Sequence, residues 1–123
     1  MIDVAHIIEK TRYIEGGRSW PDVDCYGIVL HVREILGLKQ LPELGHARRN
    51  KNMDEIGRAQ VAELIKCAPE NGAIAACYDG AGLMIHTGVF INGAVLECNP
   101  NRHASISPAH RFIKRFHKVE FFK

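Results

Sequence analysis

Two residues in this chain have the type and placing to do chemistry together, Cys25 and His86. Cys25 lies in Asp24-Cys25-Tyr26-Gly27, directly ahead of an apolar-periodic run that stops at Gly37. That puts a thiol in the first turn of an expected helix. Unpaired N–H groups and partial positive charge there favour thiolate over thiol. His86 opens a strand-like run, His86-Thr87-Gly88-Val89-Phe90-Ile91. A helix-start thiol with a strand imidazole supplies a nucleophile and its general base. The plainer reading of a free cysteine is a small buried hydrophobe, and Cys67, Cys77 and Cys98 are read that way. Cys25 stands apart by its position, by Asp24 before it and by Gly27 after it.

His86 competes with six other histidines, His6, His31, His46, His103, His110 and His117. Hairpin register singles it out. With Asn92-Gly93 as a two-residue turn, Ile91 faces Ala94, Gly88 faces Glu97 and His86 faces Asn99. His86, Glu97 and Asn99 then share one face of the sheet, Gly88 leaves open space on it, and Thr87 and Cys98 point the other way. A polar group beside an imidazole holds its second nitrogen and stabilises its charged form. Glu97 and Asn99 are both placed to do this. Alone they read as a solvated strand end; with Cys25 and His86 a Cys–His–polar arrangement explains them better. His103 is a further candidate.

The elements that position these residues follow from periodicity. A short helix over 2–11 has Ile2, Val4, Ile7 and Ile8 on one face, and a loop follows at Gly16-Gly17 to Trp20-Pro21. The second helix covers 25–36, with Asp24 as N-cap and Gly37 past its end. Residues 38–52 read as a connecting loop, with Arg48-Arg49-Asn50-Lys51 a solvated part of it. A third helix covers 54–66 and carries Ile56, Leu64 and Ile65. Residues 73–78 read as a buried strand, 84–91 and 94–98 as the hairpin, and 112–122 as one or two more strands. Helices first and strands last give α+β with an antiparallel sheet.

Composition narrows the class. A chain of 123 residues, 46% hydrophobic and 24% charged, suits one globular domain, 1–123. A net charge of +2 gives no reason to expect nucleic acid. No run of 18 apolar residues suggests membrane insertion. The first ten residues carry Asp3 and Glu9 and no long apolar core, so no secretory signal is expected and synthesis is expected in a cytoplasm. The four cysteines form no C-x-x-C pair, so zinc is not expected and the thiols are read as reduced.

These residues resemble the NlpC-type cysteine peptidases, cell-wall hydrolases of bacteria and phages in the papain-like superfamily. That family has a Tyr, a Gly-Gly loop and Asp-Cys-(Ser/Trp)-Gly; here stand Tyr13, Gly16-Gly17 and Asp24-Cys25-Tyr26-Gly27. Its His-Val-Gly-(Ile/Val)-Tyr-(Leu/Ile) is similar to His86 through Ile91. Its Pro-x-x-Gly-Asp segment is similar to Pro69-Glu70-Asn71-Gly72-Ala73, with Ala73 replacing Asp. The resemblance spans about residues 10–100. Tyr26 replaces Ser or Trp. The third catalytic residue, usually His, falls on Glu97, with Asn99 as the alternative.

The resemblance implies a papain-like fold and cleavage of peptidoglycan stem peptides next to a γ-linked D-glutamyl residue. Cys25 attacks, His86 activates the thiol and protonates the leaving amine, and Glu97 orients His86. The Cys25 N–H, helped by the Tyr13 hydroxyl, stabilises the oxyanion, and Asp24 supports the site. This chemistry needs no metal or organic cofactor. The short connection and Gly37-Leu38-Lys39-Gln40-Leu41-Pro42 look most like tailed-phage versions, which implies a virion tail setting and tail proteins as partners. A structural tail component with little catalysis, or a cysteine acyltransferase, are the alternatives. The C-terminal run interleaves His110, Arg111, Lys114, Arg115, His117, Lys118 and Lys123 with Phe112, Phe116, Phe121 and Phe122. Its simplest reading is an edge strand guarded by cations; the functional one is contact with an anionic wall polymer or a tail protein.

Overall fold

The structure is a computed structural model, and it describes residues 2–42 and 53–123. The Arg48-Arg49-Asn50-Lys51 stretch and His46 lie outside the described residues. Helix α1 (Val4–Lys10) is capped by Asp3, whose carboxylate accepts the His6 N–H, and it buries Ile7. Strands β1 (Arg12–Tyr13), β2 (Arg18–Ser19) and β3 (Asp22–Val23) form a small sheet in the order β1-β3-β2. Its β1–β3 pair is parallel, against the antiparallel expectation. Helix α2 (Gly27–Ile35) buries Ile28, Val29 and Val32. It begins two residues later than the sequence suggests, and its N-cap is Tyr26 rather than Asp24, because Cys25 and Tyr26 form a turn ahead of it that the Asp24 carboxylate holds.

Helix α3 (Met53–Val61) is shorter than expected. The chain leaves it to pair as strand β4 (Lys66–Cys67), which leaves Ile65 78% exposed. Strands β5 (Ile74–Tyr78), β6 (Met84–Ile91), β7 (Ala94–Asn99) and β8 (His103–Pro108) follow, then helix α4 (Ala109–Ile113) and strand β9 (Lys118–Phe122). They make an antiparallel sheet in the order β4-β9-β5-β6-β7-β8. The class among the described residues is therefore α+β.

Two expectations about the C-terminus are corrected. Phe112 belongs to α4, not to a strand: Phe112, Arg115 and Phe116 follow helical spacing. Strand β9 is no edge either, since it pairs with β5 on one side and β4 on the other.

The sheet is covered on both faces. On one, α2 and α3 share a buried cluster with Ile74, Ala76, Met84, Ile91 and Leu96. On the other, Phe112 and Phe121 pack on Ala73, Ala75, Cys77 and Val95. This is why β5 reads as an unbroken apolar run, with every residue buried. The hairpin turn has φ of 50° at Asn92 and 82° at Gly93, the left-handed pair that a two-residue turn needs and Asn-Gly supplies with least strain.

Register follows the sequence reading from Ile91–Ala94 to Val89–Leu96, and these are the three pairs of the β6–β7 ladder. It does not continue to Gly88–Glu97 or His86–Asn99 as expected. Gly88 also does not leave open space: a Cβ there would sit 2.6 Å from Val95 Cγ1 and 3.1 Å from the Leu96 carbonyl oxygen. Its bareness lets β7 and Phe112 approach. Gly88→Val should therefore lower stability by about 1–3 kcal/mol in urea unfolding, by overpacking. An unchanged midpoint would contradict this packing.

Candidate functional site

Asp24 organises the turn that holds Cys25. Its carboxylate accepts the N–H groups of Tyr26 at 3.1 Å and Gly27 at 2.8 Å, and its carbonyl accepts the Ile28 N–H at 3.2 Å. A side chain this buried needs a countercharge, and Arg18 provides it in a close ion pair. The turn is fastened to the sheet by two strand residues that face α2. Thr87 Oγ1 donates to the Cys25 carbonyl at 3.2 Å, and Cys98 Sγ donates to the Val23 carbonyl at 3.5 Å.

His86 lies where the β6–β7 ladder has ended, and side chains join the strands in place of backbone. Its Nε2 is 2.9 Å from Glu97 Oε1, and both side chains are 2% exposed. Cys25 and His86 shift each other's pKa, and with Nε2 engaged by Glu97, Nδ1 is the nitrogen left to serve the thiol. The imidazole is flanked by Phe116 and Phe112, with ring centroids 5.9 and 6.4 Å away.

Glu97 is held by more than His86. Asn99 Nδ2 donates to Oε1 at 2.9 Å, and Arg115 donates to Oε2 at 2.5 Å and to Oε1 at 3.1 Å. Of the two candidates for the third position, Glu97 touches the imidazole, and Asn99 holds Glu97.

The protonation states follow from these contacts. Burial alone would push the Cys25 thiol up, but the hydrogen bond and charge of His86 outweigh it and the pKa is lowered. Burial alone would push His86 down; hydrogen bonds to Cys25 and Glu97 raise it instead. Burial would likewise raise Glu97, yet His86, Arg115 and Asn99 hold it down at about 2. Cys98 has no such partner and burial pushes it up to about 12, as expected of a packing thiol. Cys67 is also raised by burial, and none of the four cysteines is in a disulfide.

The remaining candidates are placed as follows. Tyr13 pairs with Val23, beside the strand that leads into the Cys25 turn. Its backbone N–H donates to His103 Nδ1 at 2.9 Å, so His103 ties β8 to β1. A notch of about 70 Å³ opens beside His86, Asn99, Arg115 and Phe116. It shares Asn99 and Arg115 with a cleft of about 600 Å³ that also reaches Arg102, Ser105 and Arg111. No cluster of ligands suited to a metal ion occurs among the described residues, and none of their helices is long and apolar enough to cross a membrane.

Sequence reasoning missed Arg18 and Arg115. Arg18 carries no local signal, because its partner is fixed by the small sheet. Arg115 does: its spacing from Phe112 and Phe116 is helical, which an edge-strand reading hides. A scan against protein-family models finds no match to the chain, and a search of curated proteins finds none either.

The Glu97 pKa makes a stability prediction. Its folded value lies below the ordinary 4.5, so Glu97 contributes stability above that pH and loses it as pH falls from 4.5 toward about 2. Wild type should lose thermal stability across that window, and Glu97→Gln should lose less. Equal losses would remove Glu97 as the source.

Proposed function

We propose that the chain is a cysteine peptidase of the NlpC type, with a papain-like arrangement in which α2 follows directly on its nucleophile, Cys25. The observation that carries this reading is the buried, hydrogen-bonded His86–Glu97 pair, with imidazole and carboxylate 2% exposed, next to a thiol whose pKa His86 lowers. Ionisable groups buried against an opposing desolvation cost are typical of working sites.

The substrate proposed is a peptidoglycan stem peptide, cut between a γ-linked D-glutamyl residue and the following diamino acid. Cys25 Sγ attacks the carbonyl carbon as a thiolate. His86, now imidazolium, gives its Nδ1 proton to the leaving amine. Water then attacks the thioester, with His86 as base, and releases the carboxylate product and the thiol. Glu97 fixes the ring and stabilises its charged form. The Cys25 N–H and the Tyr13 hydroxyl are the proposed oxyanion donors. A phage tail is the proposed setting.

Digestion of purified peptidoglycan, with products identified by mass spectrometry, tests the reading. Wild type should release stem-peptide fragments and Cys25→Ala none. Glu97→Ala should lower kcat on the order of 10²–10⁴-fold. A folded wild-type protein that releases nothing would contradict free-standing hydrolysis.

A further inference from the structure

Arg115 has no part in the mechanism above, yet it completes the series of charges. It sits between α4 and β9, with its side chain 48% exposed. Both of its terminal nitrogens reach Glu97, which fixes the carboxylate's plane as a single-point donor cannot. The guanidinium lies 5.2 Å from the ring centroids of both Phe112 and Phe116, the two rings that flank His86. One side chain therefore braces the carboxylate and the walls of the imidazole pocket together.

We infer that Arg115 is a positioning residue: it holds the Glu97 carboxylate against His86 Nε2, so that Nδ1 is presented to Cys25. The inference rests on the peptidase reading for its purpose, but its physics can be read without any substrate. Charge counting gives the direction. With Cys25 and Glu97 ionised, His86 and Arg115 match them one for one. Without Arg115 the same state has an uncompensated negative charge in a buried setting, so the series takes up a proton more readily.

The other groups facing the series leave this balance intact. Asp24 acts on Cys25 but is paired with Arg18. Thr87 is neutral, Cys98 is held protonated by burial, and Asn99 donates to Glu97 without charge. Cys77, which also faces Arg115, is buried opposite His86. Arg102 and Arg111 line the cleft beyond Arg115.

The test is the pH dependence of Cys25 alkylation by iodoacetamide, read by peptide mass spectrometry with Cys98 as the slow internal reference. Wild-type Cys25 should react with a midpoint below that of an ordinary thiol. In Arg115→Ala the midpoint should rise by about one pH unit. Arg115→Lys, which keeps the charge but not the fork, should recover part of that rise. Arg115→Gln keeps much of the stem without the charge; it should behave as alanine does and covers the case in which alanine unfolds the turn. An unshifted midpoint in a folded Arg115→Ala or Arg115→Gln protein overturns the role of Arg115 and leaves the peptidase reading standing. An ordinary-thiol midpoint in wild type overturns that reading, and this inference with it.

Discussion

A carboxylate almost wholly removed from water has to be neutralised by the groups around it. At Glu97 those groups come from three places: His86 on β6, Asn99 on its own strand, and Arg115 after α4. Much of the C-terminal half can be understood from that requirement. The tight Asn92-Gly93 turn sets β6 against β7, and Gly88 lets them close. The ladder stops short of His86, and the ion-paired side chains take over where the backbone bonds end. Phe112 and Phe116 then flank the imidazole and also contact the guanidinium.

The N-terminal half answers a complementary demand. A thiol at a partly buried position resists ionisation unless a cation is close and fixed. The Cys25 turn is therefore tied from several directions: by the Asp24 carboxylate within it, by Arg18 behind Asp24, and by Thr87 and Cys98 from the sheet. Thr87 and His86 are neighbours on one strand, with one side chain fixing the Cys25 backbone and the other lowering the pKa of its thiol. Alternation along β6 thus supplies both the support and the partner of the thiol.

Much of this was legible in the residues. The Asn92-Gly93 turn and the shared face of His86, Glu97 and Asn99 follow from local rules, because turn chemistry and strand parity act over a few residues. What escaped was set at longer range. Strand β8 has only Ala104 and Ile106 as apolar signal; it forms because β7 offers it a full ladder. Strand β9 resembles a guarded edge in isolation, yet β4 covers it from far earlier in the chain. Helix α3 stops short of the apolar pattern because Lys66 and Cys67 pair with Phe122 and Phe121 in the sheet. Arg115 is not legible as a site residue while Phe112 to Phe116 read as a strand, because only helical spacing brings it to the same side as both rings.

The central claim is that Cys25 and His86 act as one ionised pair braced by Glu97. The most direct measurement is an NMR titration of the His86 imidazole in wild type and in Cys25→Ser. The account predicts a wild-type ring that stays cationic above the ordinary histidine pKa of 6.5, and a clear fall in Cys25→Ser, where burial is no longer offset by the thiolate. An imidazole that titrates alike in both proteins would contradict it.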